Sequence, residues 1–477
     1  MTVRSTKIVA TLGPAVDHLI GDLIAAGVDA VRINFSHGSH DEHARRIRQV
    51  RKAASDQGRF VAILADLQGP KIRIRGFAGA SSVELATNAT FCIDCAADDE
   101  AGGPDLVGTT YPHLADEVAP GDVLVLGDGL LELVVDRISG QKIHCRVLTG
   151  GELGAGKGIN KRGGGLSAPA LTEKDHGDIA FACSEGVDYI AVSFPRAAED
   201  MFEARRLVEA QGSNCGLLAK LERAESVADP DNLDGLILAS DAVMVARGDL
   251  GIEIGDAALM GKQKQIILRA AELNRPVITA TQMMESMIAN PRPTRAEVMD
   301  VANAVVDGTD AVMLSAETAV GRYPLETVQR MVEVIEGAEA SAVSARSEPA
   351  PYPCTAIDEG VALAAMTVAE SLQGVRAVAC LTSSGNTPRL MSRARSRLPI
   401  YALADNPRTL ARVALFRGVH PELFETEHLD YELINEAAVT WLARKGTVSK
   451  GDRVILSKGD YRNVQGGTNT LKILEVA

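Results

Sequence analysis

Two carboxylates, Glu222 and Asp249, stand in the segments KLE and ARGDLG, each where an apolar run gives way to polar residues. Paired hard oxygen donors suit Mg²⁺ or Mn²⁺, which keep several waters and also bind substrate oxygens. Lys220 lies two residues before Glu222, so in an extended strand both side chains leave the same face. An ammonium there stabilises charge developing on an anion held beside the metal. The alternative is a Schiff-base lysine, which nearby carboxylates oppose by keeping the amine charged. Gly248 and Gly251 lie on either side of Asp249 and allow close backbone approach. Free N–H groups at such a turn would hold a carboxylate or a phosphate.

The same transition recurs along the chain. Arg32, Asn34 and Ser36 end one apolar run, and Asp66, Ser193, Arg247, Thr281 with Gln282, and Ser315 with Glu317 end others. Buried charges cost several kcal/mol unless paired or ligated, so these groups must converge on ions or on one another; the plainer alternative is a structural ring of ion pairs. Three other groupings are weaker. The segment 151–158 (GELGAGKG) mimics a phosphate-binding loop, but Gly158 stands where Ser or Thr is needed. His37, His40 and His43 are spaced by three with no acidic or Cys partner to complete a zinc set, and Ser39 to Asp41 reads as a helix start. Cys92 and Cys95 form a single C-x-x-C with no second pair, which reads as two half-buried strand residues.

The elements that must position these residues are eight short apolar, β-branched runs at 7–12, 28–35, 60–67, 187–194, 216–222, 241–247, 276–282 and 310–317. Runs of this kind fit strands buried on both faces of a parallel sheet, and helical patterns such as 200–210 and 260–273 lie between them. Eight βα units predict a (β/α)₈ barrel, whose functional groups come from the C-terminal strand ends. Between the third and fourth runs the spacing breaks. That stretch carries short alternating segments (SSVEL, TFCIDC, DVLVLGDGLLELVV, KIHCRVL) with Gly and Asp turns, which predict an inserted all-β domain. TRAE at 294–297 is a capping box that starts a helix to 306. A polar, Pro-bearing stretch after Glu339 reads as a linker. Beyond it a helix at 357–372 and strands at 375–381, 399–404, 453–456 and 470–476 predict a second α/β domain. The expected boundaries are 1–70 with 167–343 for the barrel, 71–166 for the insert and 344–477 for the last domain.

The chain has 477 residues and a net charge of −14, which argues against binding nucleic acid or anionic membrane through bulk charge. Cations for an anionic substrate must therefore be local. Seven scattered cysteines read as reduced thiols of a cytoplasmic protein. Residues 1–7 are short and polar, unlike a signal peptide, and no apolar run approaches the ~20 residues that span a bilayer.

In family order, KIVATLGPA, RINFSHG, DLQGPKIR, KGIN, AVSFPR, AKLERAE, MVARGDLGIEI, ITATQMMESM, PRPTRAEVMDVANAVVDGTDAVMLSAETA and TNTLKIL resemble the pyruvate kinase motifs. The resemblance runs from the first strand to the end of the chain, and is to the bacterial subgroup with DLQGPK in place of DTKGPE. It implies a barrel, an inserted β lid and a C-terminal regulatory domain. It implies phosphoryl transfer from phosphoenolpyruvate to ADP, giving pyruvate and ATP with Mg²⁺. Carried over, Glu222 and Asp249 ligate the metal, Lys220 stabilises the transferring phosphoryl group, and Arg32 and Arg73 bind phosphates. The Gly248 and Asp249 amides hold the substrate carboxylate, and Ser193 lies in the same pocket. Thr281 neighbours the enolate carbon, Ser315 and Glu317 form a proton relay behind it, and Asp128 and Lys157 reach in from the lid. Asn34, Ser36 and Asp66 match a monovalent-cation pocket. Lys71 replaces a Glu and Leu67 a Thr near that pocket, so K⁺ is not expected to be required. The segment 382–387 (Thr382, Ser383, Ser384, Gly385, Asn386, Thr387) reads as a phosphate cradle, which in the family takes a phosphorylated effector. The loop 459–467 departs from the pattern of fructose-1,6-bisphosphate-activated members, so a sugar or nucleotide monophosphate is expected instead. A homotetramer is a further implication. The rival readings are a phosphoenolpyruvate-site lyase or mutase without nucleotide chemistry, and a non-catalytic homologue lacking Lys220, Glu222 or Asp249, all of which are present.

Overall fold

The computed structural model describes residues 4–99, 101–127, 129–341, 354–430, 433–461 and 466–477. Eight strands among them are parallel and close into a barrel: β1 (Lys7–Leu12), β2 (Ala30–Asn34), β3 (Ala62–Asp66), β4 (Tyr189–Val192), β5 (Gly216–Leu221), β6 (Ala242–Ala246), β7 (Val277–Ala280) and β8 (Ala311–Leu314). Each strand pairs with its sequence neighbours, and β1 pairs with β8 to close the ring.

The apolar runs are continuous because both faces of every strand are buried. On β6, Val243 and Val245 pack outward with the helices, while Ala242, Met244 and Ala246 fill the interior. The period of two sets what reaches the open end. Leu64, Ala191 and Leu218 fill the interior from β3, β4 and β5, with Ala191 level with Leu218 and Leu64 two residues lower, level with Tyr189. Two residues further along the same inward faces come Asp66, Ser193 and Lys220. The charged residues thus begin where the apolar interior stops.

The inserted residues leave after β3 and return before β4, and these two strands are hydrogen-bonded neighbours. They form a six-stranded sheet in the order Ile159–Lys161, Val123–Leu126, Leu131–Ser139, Lys142–Thr149, Thr90–Asp94, Leu106–Gly108. A two-stranded piece, Ser82–Leu85 with Gly151–Gly154, lies beside it. GELGAGKG is therefore a β-strand and turn with no helix behind it. Cys92 lies on the strand Thr90–Asp94 and Cys95 follows it, buried. His40 stacks on Phe181 at 4.1 Å and His43 on Phe35 at 4.8 Å, so the histidine spacing serves packing. Ser39 caps the helix His40–Asp56, and Thr294 caps Arg295–Asp307, both in full capping boxes.

The last domain is a five-stranded sheet in the order Val419–Leu423, Ile400–Ala404, Val375–Leu381, Arg453–Gly459, Thr468–Glu475, parallel except for the final strand. The strand Val419–Leu423 is absent from the sequence reading. Its VHPEL carries a Pro and a Glu, which an edge strand tolerates. This domain docks on the foot of the barrel. Arg393 grips the buried Asp310 with both terminal nitrogens, one at 2.8 Å, and Asp310 also accepts from the backbone N–H groups of Val277 and Arg417 at 3.0 Å. Removing one partner of such a buried pair costs about 3–5 kcal/mol.

Candidate active site

At the open end, Lys220 is the hub. Its ammonium is 2.9 Å from Glu222 Oε1 and 3.2 Å from Asp66 Oδ1, and it donates to Ser193 Oγ at 2.8 Å. Asp66 is buried and turns its other oxygen to Arg32 Nε at 2.5 Å. Arg32 also donates to Thr11 Oγ1 at 3.2 Å, one strand over. Glu222, equally buried, accepts from the Phe194 N–H at 2.8 Å. Burial alone would lower the Lys220 pKa, but Asp66 and Glu222 outweigh it and hold it above its ordinary value. Burial would raise the Asp66 pKa, yet Arg32 and Lys220 hold it below the usual range. Glu222 goes the other way, pushed up by burial and by the Asp249 charge against the pull of Lys220. A lysine kept charged in this way is a poor Schiff-base nucleophile, so the geometry favours electrostatic work.

Asp249 sits in the first turn of the helix Arg247–Ile254. Among the described residues no three His, Cys, Asp or Glu gather round one point. What a divalent ion would find is Glu222 with Asp249, close enough for the Asp249 charge to act on Glu222, a hard-oxygen set short of a closed protein cage. That suits Mg²⁺, which keeps waters and substrate oxygens in its remaining positions.

Thr281 follows β7 in the left-handed region (φ 69°), and Gln282 repeats it (φ 54°). A β-branched residue there costs on the order of 1–2 kcal/mol and persists only if clamped. Arg247 supplies the clamp: Nε donates to the carbonyls of Ala280 and Thr281 at 3.2 Å, while Nη1 bridges both oxygens of Asp300 at 2.8 Å. The Gly248 N–H donates to Thr281 Oγ1 at 2.9 Å. Of the two amides expected to face a substrate carboxylate, Gly248's is thus engaged with Thr281. Glu317 is buried behind, accepting from the N–H groups of Ser315 at 2.6 Å and Met284 at 3.3 Å; burial raises its pKa against these donors.

Several expected residues stand apart from this cluster. Asn34 Oδ1 accepts from the Ser36 N–H at 3.1 Å, a local turn. Lys71 lies 3.4 Å from Asp249 Oδ1 and makes no ion pair with Asp66 among the described residues. The Arg73 guanidinium donates to the Gly156 carbonyl of the insert at 3.0 Å, and Lys157 is exposed. Asp128 lies outside the described residues. Gly69 carries a positive φ (64°), and a Cβ there would lie 2.7 Å from Ser193 Cβ, so this glycine lets the start of the insert pack on the cluster.

Sequence reasoning missed three contributors. Phe194 (φ 57°) offers its main-chain N–H to Glu222, a role no side-chain type signals. Asp300 holds Arg247 from the helix Arg295–Asp307, where only the Thr294 capping box is singled out in the sequence. Thr11 sits inside an apolar run, and its inward face, two residues beyond Val9, was the available clue.

The second expected site is the turn after Val375–Leu381. Thr382 Oγ1 accepts from the Gly385 N–H at 2.9 Å, and Gly385 (φ 84°) starts the helix Asn386–Ser392. Thr382, Ser383, Ser384, Asn386 and Thr387 line a cavity with Lys458 on its far wall. Residues 462–465 of the nearby loop lie outside the described residues.

Removing the charge of Asp66 tests the hub. In Asp66→Asn, burial opposes the Lys220 ammonium with one carboxylate fewer, so its pKa falls. The expected readout is faster labelling of the Lys220 peptide by an amine-directed reagent between pH 7 and pH 9, followed by mass spectrometry; an unchanged labelling rate contradicts the assignment.

The comparisons with known proteins agree along the whole chain. The family described as "Pyruvate kinase, barrel domain" matches residues 3–328, and "Pyruvate kinase, alpha/beta domain" matches 359–474. The chain is 51% identical to "Pyruvate kinase II" of Salmonella typhimurium over 99% of both chains. It is 50% identical to "Pyruvate kinase" of Haemophilus influenzae, over 98% of this chain and 97% of that one. With "Pyruvate kinase" of Geobacillus stearothermophilus it shares 41% identity, over 98% of this chain and 80% of the relative.

Proposed function

The chain belongs to the pyruvate kinase family of phosphotransferases, and we propose that the open end of its barrel moves the phosphoryl group of phosphoenolpyruvate to ADP through the residues gathered round Lys220. The observation that carries this reading is the buried ammonium held between Asp66, Glu222 and Ser193. It is a fixed positive charge at contact with one of the two hard-oxygen carboxylates. In this reading Arg32 and Lys220 bind the phosphate, and Arg73 adds a further cation when the insert closes. The Asp249 amide, with the Gly248 amide shared with Thr281, receives the substrate carboxylate. Glu222 and Asp249 hold Mg²⁺, which when bound supplies Lewis-acid stabilisation of phosphate and enolate oxygens.

Lys220 stays protonated throughout and meets the charge that develops on the moving phosphoryl group. Thr281, clamped in its left-handed conformation, stands beside the enolate carbon. Glu317, whose raised pKa suits proton exchange, passes a proton forward through Ser315. Closure of the insert with Asp128 and Lys157 excludes the water that would otherwise take the phosphoryl group. The enzyme works in the cytoplasm as a homotetramer.

K⁺ is not needed in this reading. Family members that use it carry a Glu where Lys71 stands. What supports a tethered replacement is the half-buried Lys71 ammonium at 3.4 Å from the Asp249 carboxylate. A K⁺ ion beside it meets like-charge repulsion. The cradle 382–387 binds a sugar or nucleotide monophosphate that activates the enzyme.

ADP-dependent pyruvate formation with Mg²⁺, followed in a coupled assay, tests the activity. Lys220→Met is expected to lower kcat by about 10²-fold or more, with a much smaller change in phosphoenolpyruvate KM; a near-normal kcat removes Lys220 from its role. In tetramethylammonium salts at matched ionic strength, turnover should stay within a few-fold of that in K⁺, and activation by K⁺ of an order of magnitude would defeat the Lys71 reading. At low phosphoenolpyruvate, a monophosphate should activate the wild type and fail to activate Ser383→Glu. Strong activation by fructose-1,6-bisphosphate alone would show the effector class to be wrong.

A further inference from the structure

At the foot of the barrel, opposite the open end, a cavity of about 480 Å³ separates the strand starts from the last domain. Arg275, just before β7, and Arg389 and Arg412, from the last domain, line it together with Asp241, just before β6. The three arginines spend their donors on neutral oxygens. Arg275 reaches the carbonyls of Ser240 at 2.6 Å and Leu238 at 3.2 Å. Arg389 reaches the Asn274 carbonyl and Asn386 Oδ1 at 2.5 Å. Arg412 reaches the Asn214 carbonyl at 3.2 Å and lies over the Tyr189 ring at 5.9 Å.

None of the three has a carboxylate at ion-pair distance among the described residues. The carboxylate in the wall is already committed: Asp241 meets Arg205 at 2.6 Å and accepts from the Leu217 N–H at 2.8 Å. Asp188, the acidic group next in reach of Arg412, pairs with Arg51 at 2.8 Å. Three positive charges therefore face one concave space with no counter-charge of their own. Burial and the neighbouring Arg275 and Arg393 charges push the Arg389 guanidinium down to about 10, the direction expected of crowded cations that lack an anion.

We propose that this cavity is a binding site for a phosphorylated small molecule, whose phosphoryl oxygens complete the forks of Arg275, Arg389 and Arg412. Guanidinium forks match phosphate geometry in two-pronged fashion. The space lies in the range of small-molecule sites, roughly 300–1,000 Å³. The site is distinct from the cavity on the other side of the 382–387 turn, although Ser384, Asn386 and Gly466 border both. Its ligand would therefore press on the back of the turn whose front is the effector cradle. The proposal stands without the effector reading, because Ser383 and Lys458 border only the front cavity.

The test is a calorimetric titration of the full-length, Mg²⁺-free protein with inorganic pyrophosphate. The wild type should show one binding event per chain that Arg412→Gln and Arg275→Gln each weaken at least tenfold, while Ser383→Glu (front cavity) and Arg73→Gln (open end) leave it in place. Arg412→Lys, which restores charge without the fork, should recover part of the affinity. Circular dichroism melting establishes that each variant is folded; if Arg275→Gln is not, the Arg412 pair of variants decides. Titrations of Arg412→Gln indistinguishable from wild type, or an event lost only in Ser383→Glu or Arg73→Gln, would overturn the proposal.

Discussion

An ammonium taken out of water must have carboxylates at contact, and the open end of this barrel is built round that requirement. Lys220 is held by Asp66 and Glu222, Asp66 in turn by Arg32, and Glu222 by a main-chain N–H. Each group is tolerable in its buried place only because the next is there. The chain of dependence crosses β2, β3, β4 and β5, so the cluster exists only if four strands keep register. A slip of one residue on β5 would turn Lys220 into the helical layer and leave Asp66 buried beside an apolar side chain.

This dependence explains why so much was legible in the sequence. Strands buried on both faces must be apolar throughout, and the run that ends in Lys220 and Glu222 breaks that rule only where the ring opens. Seven such breaks in eight runs announce both the fold and the place where chemistry can occur. The edge strand Val419–Leu423 was not legible, because one flank pairs with no further strand among the described residues and a Pro and a Glu are allowed there. The left-handed conformations of Phe194, Thr281 and Gln282 were also hidden, since they are imposed by tertiary contacts against local preference. The Arg247 clamp shows the reason: its partners are two carbonyls and the carboxylate of a distant helix, and carbonyls carry no residue identity. Lys71 was recognisable as a substitution, but its approach to Asp249 depends on how the insert leaves β3.

The two ends of the barrel use positive charge differently. At the open end the central cations are matched: Lys220 pairs with Asp66 and Glu222 and Arg32 with Asp66, so charge at the hub is poised without being in surplus. At the foot, Arg393 is matched by Asp310 in a pair that joins the domains, while Arg275, Arg389 and Arg412 are left with carbonyl dipoles. Matched pairs fix geometry, whereas unmatched ones attract ligands.

The insert departs from β3 and returns to β4, and Tyr189 pairs with Leu64 across that junction. For a nascent chain this interrupts assembly. The first three strands emerge from synthesis early, but the fourth arrives only after the whole insert. Closing a loop of that length through a random coil carries an entropy cost that grows with its logarithm. The insert has its own buried core, with Ile93, Leu124, Leu133 and Val147 among its members. Once that core has formed, the two ends of the insert stand near each other, and pairing of Leu64 with Tyr189 becomes a short-range event. Ring closure therefore follows folding of the insert with little further loss of freedom. A destabilised insert would be felt first as slow maturation of the barrel, before any change in the finished enzyme.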